Sequence, residues 1–254
     1  MILTISNVKG GVAKTTTAAT LAAGLHKRGK SVLMVDADPQ TNLSMCFLDE
    51  QDDGTPSLYH VFKREQPLEA ARFTIKPGLD LILGDFSLCS ADMEFLGKVG
   101  SLNLLKRSLE TLSENYDYII IDTPPNLGFL SLNAFMCSDY VITPMATDSF
   151  SLKAIRLLKQ TLKDVSAETG RTLPVAGILL TRYTDRTNVA KILEESIQAA
   201  ADLLDTTVFT SRIRQAIVVQ ESQLVKMDLF EYAPKAPVTR EYDDFINELL
   251  RRIE

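Results

Sequence analysis

The stretch Val8–Ala18, VKGGVAKTTTA, follows an apolar run, ILTISN (Ile2–Asn7), and leads into Ala18, Leu21, Ala22 and Leu25, which recur at helical spacing. A strand, a glycine-bearing turn and a helix in that order form a unit that binds anions. The helix start offers unpaired backbone N–H groups and the positive end of its dipole. Gly10 and Gly11 let the backbone close around a phosphate without Cβ clashes. Lys14 adds a positive charge, and the Thr15 hydroxyl is placed to ligate Mg²⁺. The strict pattern G-x-x-x-x-G-K-[ST] is nevertheless not met. Its two glycine positions hold Val8 and Ala13, and an additional lysine, Lys9, stands before the glycine pair.

Outward from this loop, the chain alternates strand and helix patterns. SVLMV (Ser31–Val35), LDLIL (Leu79–Leu83), YDYIIID (Tyr116–Asp122), YVITPM, VAGILLT and TTVF read as strands. Helical patterns run through about 87–114, GFLSLNAFMC, Ser149–Glu168, Asn188–Leu204 and Thr239–Ile253, and 49–56 (DEQDDGTP) reads as a polar loop. The nearly unbroken apolar run before Asp122 suits a strand buried on both faces of a parallel sheet. The expected fold is α/β, a mostly parallel, doubly wound sheet with helices on both faces. No linker or repeat interrupts it, so one domain over 1–254 is expected.

Three acidic residues lie where open α/β sheets bind ligands, at the carboxyl ends of strands. Asp122 ends IIID and is placed to hold Mg²⁺ through water, as the second acidic element of phosphate-loop NTPases does. Asp36 and Asp38 in VDADPQ are two apart, so on an extended chain their side chains share a side. A lone strand-end aspartate is more often a helix cap; three such elements in this order point to a nucleotide.

Composition excludes other classes. The chain has 254 residues, is 45% hydrophobic and 24% charged, and carries a net charge of -6, which argues against a surface coated in positive charge but leaves local basic faces open. Cys46, Cys89 and Cys137 form no C-x-x-C pair, so a disulfide framework or zinc site is not expected; ordinary buried thiols in a reducing cytoplasm are. No apolar run reaches the roughly 18 residues of a membrane span. Without a basic leader or cleavage site, no signal peptide is expected.

KGGVAKTT, VLMVDADPQTNLS and YDYIIIDTPPNLGFLSLNAF closely resemble the ParA/MinD family of deviant phosphate-loop ATPases, and within it the Soj-like ParA partition ATPases. The resemblance covers essentially the whole chain and implies a P-loop NTPase fold, ATP and Mg²⁺ as ligands, and hydrolysis of ATP. It implies that Gly10, Gly11, Val12, Ala13, Lys14, Thr15 and Thr16 form the nucleotide loop, with Lys14 on phosphate, Thr15 on Mg²⁺ and Thr16 at a second phosphate contact. Lys9 matches the signature lysine that reaches across a homodimer to the partner's ATP. Asp38 matches the aspartate that positions the attacking water, Asp36 a switch residue near the metal, and Asp122 the Walker B acid, so that Thr15, Asp36, Asp38 and Asp122 are the expected metal site. A lysine supplied in trans would act as an arginine finger does in other NTPases.

Family membership leaves the target of the ATPase among three classes. ParA proteins bind double-stranded DNA non-specifically when ATP-bound, and a ParB-like partner protein stimulates hydrolysis. MinD-type relatives bind membrane through a C-terminal amphipathic helix. Iron–sulfur relatives use paired cysteines, one soon after the Walker B acid, where this chain reads DTPPNLG. For the membrane class, the last helix carries an apolar stripe (Tyr242, Phe245, Ile246, Leu249, Leu250, Ile253), but acidic residues dominate its other face, which an anionic membrane would repel. A helix packed on the core is expected instead. For DNA, YTDRTN resembles a family segment whose arginine, matched by Arg186, contacts DNA, with Arg182 and Lys191 nearby. SRIRQA supplies Arg212 and Arg214 near a second family DNA contact. Lys153, Arg156, Lys159 and Lys163 form a basic stripe opposite Leu157, Leu158, Leu162 and Val165, a solvated face or a DNA-facing one. A cytoplasmic, nucleoid-associated ATPase that drives plasmid or chromosome partition is expected. An ATPase that positions another cargo by the same cycle is the alternative. No N-terminal helix-turn-helix region is expected, since the chain enters its first strand at once.

Overall fold

The computed structural model describes residues 1–49, 54–146, 152–183 and 190–254, with 190–194 described by their backbone alone. Among the described residues one sheet of eight strands runs through the molecule. The strands are β1 (Ile2–Ile5), β2 (Val32–Asp36), β3 (Arg72–Lys76), β4 (Leu79–Ile82), β5 (Tyr118–Asp122), β6 (Tyr140–Ala146), β7 (Val175–Tyr183) and β8 (Val208–Arg214). Their spatial order is β3-β4-β2-β5-β1-β6-β7-β8. Every neighbouring pair is parallel except β3 with β4. The main helices are α1 (Lys14–Lys27), α2 (Phe129–Cys137), α3 (Leu152–Thr169), α4 (Ala190–Leu203), α5 (Ile217–Leu224) and α6 (Pro237–Ile253).

The period-two geometry of strands divides the apolar residues between two faces. Val32 and Met34 of β2, Tyr118 and Ile120 of β5 and Leu179 of β7 join α1 and α6 in one core. Leu33 and Val35 of β2 with Ile119 and Ile121 of β5 pack on the other face against Phe129, Leu130 and Ala134 of α2. Ile178 and Leu180 of β7 meet Ile155, Leu158, Leu162 and Val165 of α3. The expected doubly wound, mostly parallel sheet is the one observed.

The apolar stripe of α6 lies in the core. Tyr242, Phe245, Ile246, Leu249 and Ile253 are all buried, and each contributes about 1.5–3 kcal/mol of burial. Glu248 ties the helix to the sheet margin by accepting bonds from the Thr210 and Ser211 backbone N–H groups of β8. Where α6 meets α1, a Cβ on Gly24 would stand 2.2 Å from Ile246 Cδ1 and 2.9 Å from a Phe230 ring carbon. The helices approach closely because that residue has no side chain. Among the described residues, no helix is long and apolar enough to cross a membrane.

Several expectations are corrected. The helical stretch of about 87–114 is a chain of short helical turns, among them Ala91–Phe95 and Leu104–Leu109, broken at Gly97 and Gly100, both at positive φ. The strand read as TTVF runs on to Arg214, and β3, at the edge of the sheet, is a strand beyond those expected. Leu157 is 54% exposed rather than on the packed side of α3. Cys89 is exposed, while Cys46 and Cys137 are buried free thiols as expected.

Candidate functional site

The ordering of strands brings the predicted residues together. β1 lies between β5 and β6, so the loop after β1 opens beside the end of β5, and β2 flanks β5 on its other side. Register aligns Asp122 with Ile5 on one side and with Asp36 on the other. The phosphate loop and two of the three aspartates thus meet at one edge of the sheet. The cleft above them encloses about 870 Å³, and its lining includes Gly10, Gly11, Lys14, Thr15, Thr16 and Asp38. That volume is within the range of a nucleotide-sized pocket.

Within the loop, Ala13 sits in the left-handed region, φ 61 and ψ 34, at the residue before α1. This is the position where the strict pattern has glycine, so the local backbone of a phosphate loop forms here at the cost of a strained alanine. The first helical bond follows normally, Thr17 N to Ala13 O at 2.9 Å. Lys14 is buried, with its ammonium donating to the Lys9 carbonyl at 3.0 Å. Burial holds its pKa below the ordinary value, and the charges of Asp122 and Asp38 oppose that shift.

The Thr15 hydroxyl donates to Asp122 Oδ2 at 2.6 Å. Asp122 is fully buried, and its Oδ1 has no hydrogen-bond partner. Burial, then the neighbouring Asp36, push its pKa well above the usual carboxylate range, with the Thr15 bond acting the other way. A buried carboxylate oxygen with no donor is costly, and a cation would relieve it. Among the described residues no three His, Cys, Asp or Glu side chains form a ready metal cage. Mg²⁺ needs none: it is held by one or two carboxylates, a hydroxyl, substrate phosphates and water. Thr15 and Asp122 fit that requirement.

Asp36 is also fully buried. Its Oδ2 accepts from Ser44 N and Ser44 Oγ, both at 2.7 Å, and its Oδ1 accepts from Asp38 N at 3.3 Å. Burial pushes its pKa up to about 6 against those bonds. β2 ends at Asp36, so Asp38 lies past the strand, where its Oδ1 accepts from Gln40 N at 2.9 Å and its residue lines the cleft. Lys9 is exposed, and it is absent from the lining of its own cleft.

The basic candidates are less concentrated. Arg212 and Arg214 are on β8. Arg212 donates to Tyr183 Oη at 2.9 Å and stacks over that ring, and Arg214 pairs with Glu241 at 2.5 Å. Arg186 lies outside the described residues. On α3, Lys153, Arg156 and Lys163 are exposed, and Lys159 pairs with Asp205 at 3.0 Å. Residues to which the motifs gave no part in the loop also shape the site: Ser44 on Asp36, Thr181 donating to Val12 O, and Arg182, named above only beside the DNA candidates, donating to Gly11 O. Ser44 lay within DADPQTNLS, but nothing in its spacing signalled its role.

Comparison with known proteins agrees with the geometry. A family model described as an AAA domain matches residues 1–175. The sporulation initiation inhibitor protein Soj of Bacillus subtilis is 33% identical over 250 residues, 98% of this chain and 97% of Soj. The chromosome partitioning protein ParA of Caulobacter vibrioides is 31% identical over 99% of this chain and 94% of its own. Among solved structures, cobyrinic acid a,c-diamide synthase from Mycobacterium smegmatis, with bound ATP analog and magnesium, superposes with a TM-score of 0.83 at 30% identity, covering 98% of this chain and 94% of that one. A putative plasmid partition protein of Borrelia burgdorferi bound to AMPPNP gives a TM-score of 0.78 at 26% identity, covering 98% of both chains. With the family model spanning more than half of the chain and relatives above 30% identity along nearly all of it, the chain belongs to the ParA/Soj family of partition ATPases.

Proposed function

We propose that this ATPase binds ATP–Mg²⁺ in the cleft, closes into an ATP-sandwich homodimer, grips double-stranded DNA without sequence preference in that state, and hydrolyses ATP when a ParB-like partner protein engages it. The observation that carries the reading is the Thr15–Asp122 pair beneath the phosphate loop, with Asp122 Oδ1 left unpartnered. These are the hydroxyl and carboxylate oxygens that would hold Mg²⁺.

The mechanism follows from positions. Loop N–H groups and Lys14 would hold the phosphates, and Thr15 and Asp122 would hold the metal, which would supply charge neutralisation on the transferred phosphoryl group. Asp38, at the cleft wall, orients the attacking water. Lys9, exposed and outside its own cleft's lining, supports a role toward a partner's nucleotide. A two-fold closure in which each lysine completes the other site makes ATP the glue of the dimer.

DNA contact is assigned to Arg186, Arg212 and Arg214, with the exposed cations of α3 as further phosphate contacts. The kinship with chromosome-partitioning and plasmid-partition proteins supports DNA as the target and nucleoid association as the location. The burial of the α6 apolar stripe disfavours a membrane-binding C-terminal helix. Retention of duplex DNA tests the proposal. Protein with ATP–Mg²⁺ should hold DNA at low salt and release it as salt rises, because phosphate contacts dominate such binding. Equal, salt-insensitive retention without nucleotide would overturn it.

A further inference from the structure

Arg182 is placed by the backbone in a way that the sequence pattern does not require. In a regular strand successive side chains point to opposite faces. At the end of β7 they do not: Thr181 Oγ1 donates to Val12 O at 3.1 Å and Arg182 Nη1 donates to Gly11 O at 3.2 Å. Two consecutive side chains therefore reach two consecutive carbonyls of the same phosphate loop. The cause is local. Arg182 has φ 52, a conformation a non-glycine residue rarely holds, and the β7–β8 register shifts between Leu180 and Tyr183. Irregularities of this kind re-aim a side chain, and strained backbone persists where a site uses it.

The re-aimed guanidinium lies at the cleft. Arg182 is in the cleft lining with Lys14, Thr15 and Thr16, and its Nη1 lies 3.8 Å from where a Cβ on Gly11 would be. It is exposed, and among the described residues it makes no ion pair with a carboxylate, unlike Arg214 beside it, which Glu241 holds. One of its five donors is used on Gly11 O, and a neutral carbonyl does not satisfy a full positive charge.

We propose that Arg182 is a nucleotide-binding residue in cis: a guanidinium that contacts the polyphosphate of the bound nucleotide, and that rests on Gly11 O when no nucleotide is there. The assignment rests on the nucleotide reading of the cleft. It separates the lysine reaching from a partner, Lys9, from an arginine supplied by the chain's own β7. It also removes Arg182 from the DNA-facing set that its sequence neighbourhood suggested. A planar fork of donors matches phosphate oxygens where an ammonium offers a point charge.

The test is nucleotide affinity of Arg182→Gln and Arg182→Lys, measured by competition against a fluorescent ATP analogue, with Lys14→Ala alongside and thermal melting of each variant without nucleotide. Arg182→Gln should bind ATP about tenfold more weakly, with a much smaller loss for AMP. Arg182→Lys should recover part of the affinity, since charge and not the bond to Gly11 O is what the phosphates use. Nucleotide-free melting temperatures should match the parent. Wild-type ATP affinity in Arg182→Gln, or an equal loss for ATP and AMP with no recovery in Arg182→Lys, overturns the assignment to Arg182. Wild-type affinity in Lys14→Ala instead overturns the nucleotide reading itself.

Discussion

Thr15 Oγ1 and Asp122 Oδ2, 107 positions apart in sequence, are joined by a 2.6 Å hydrogen bond at the foot of the phosphate loop, and Asp122 is fully buried beside a second buried aspartate, Asp36. The pair unites the helix start after β1 with the tip of β5. It also sets two buried carboxyl groups side by side, where ionising both is costly and Lys14 offsets that cost only in part. Asp122→Asn should therefore leave the nucleotide-free protein at least as stable as the parent while weakening Mg²⁺-dependent ATP binding more than tenfold. Thermal melting and calorimetric titration with and without Mg²⁺ check the two halves separately. A large loss of nucleotide-free stability would contradict the charge argument.

Ala13 holds a left-handed conformation at the residue where the strict loop has glycine. Ala13→Gly should relieve that strain and raise folding stability by about 0.5–1 kcal/mol, because φ > 0 costs glycine little. ATP affinity should be unchanged, since the loop already has the conformation glycine would take. Denaturant unfolding at constant m-value is the measurement.

Ser44 gives Asp36 two hydrogen bonds, and both lower a pKa that burial raises to about 6. Ser44→Ala keeps the backbone bond but removes the hydroxyl bond to Asp36 and the longer 3.3 Å bond that Ser44 Oγ accepts from Gly84 N, and the Asp36 pKa should rise further. A carboxylate raised in the folded state costs stability once it ionises, so the penalty appears as pH increases through that range. In metal-free buffer the stability deficit of Ser44→Ala should be about 1–2 kcal/mol larger at pH 8 than at pH 4.5. A deficit independent of pH would assign the loss to packing instead.

At Gly24, α1 meets α6 so closely that a Cβ would be 2.2 Å from Ile246 Cδ1. Gly24→Ala should cost about 1–3 kcal/mol by overpacking, despite the better helix propensity of alanine. Adding Ile246→Val should recover part of the loss, and a double-mutant cycle would read that coupling. Additive effects would mean that the two residues do not meet.

The ligand-bearing half of the fold was legible in the sequence because its signals are local. VKGGVAKTTTA, DADPQ and IIID each sit within one strand end or turn, and parallel alternation brings strand ends to one edge of the sheet. What stayed hidden depends on tertiary placement. β3 alternates Phe73 and Ile75 with Arg72, Thr74 and Lys76, but two apolar residues in five make a short signal, and Phe73 is left exposed at the sheet's edge. Leu157 looked like core at helical spacing, yet α3 turns it outward beside buried Leu158. The hold of Ser44 on Asp36 and the turn of Arg182 into the cleft follow from a loop's path and a register shift, neither of which residue types encode. Arg212 and Arg214 read as a basic pair, but Tyr183 and Glu241 engage them individually.

Lys9 is exposed and does not line the cleft that its own loop builds. The mass of the protein in solution, by sedimentation velocity with and without ATP–Mg²⁺, tests the central claim most directly. The parent should become a dimer on ATP, and Lys9→Ala should remain a monomer while still binding ATP. A Lys9→Ala variant that dimerises on ATP as the parent does would contradict the account.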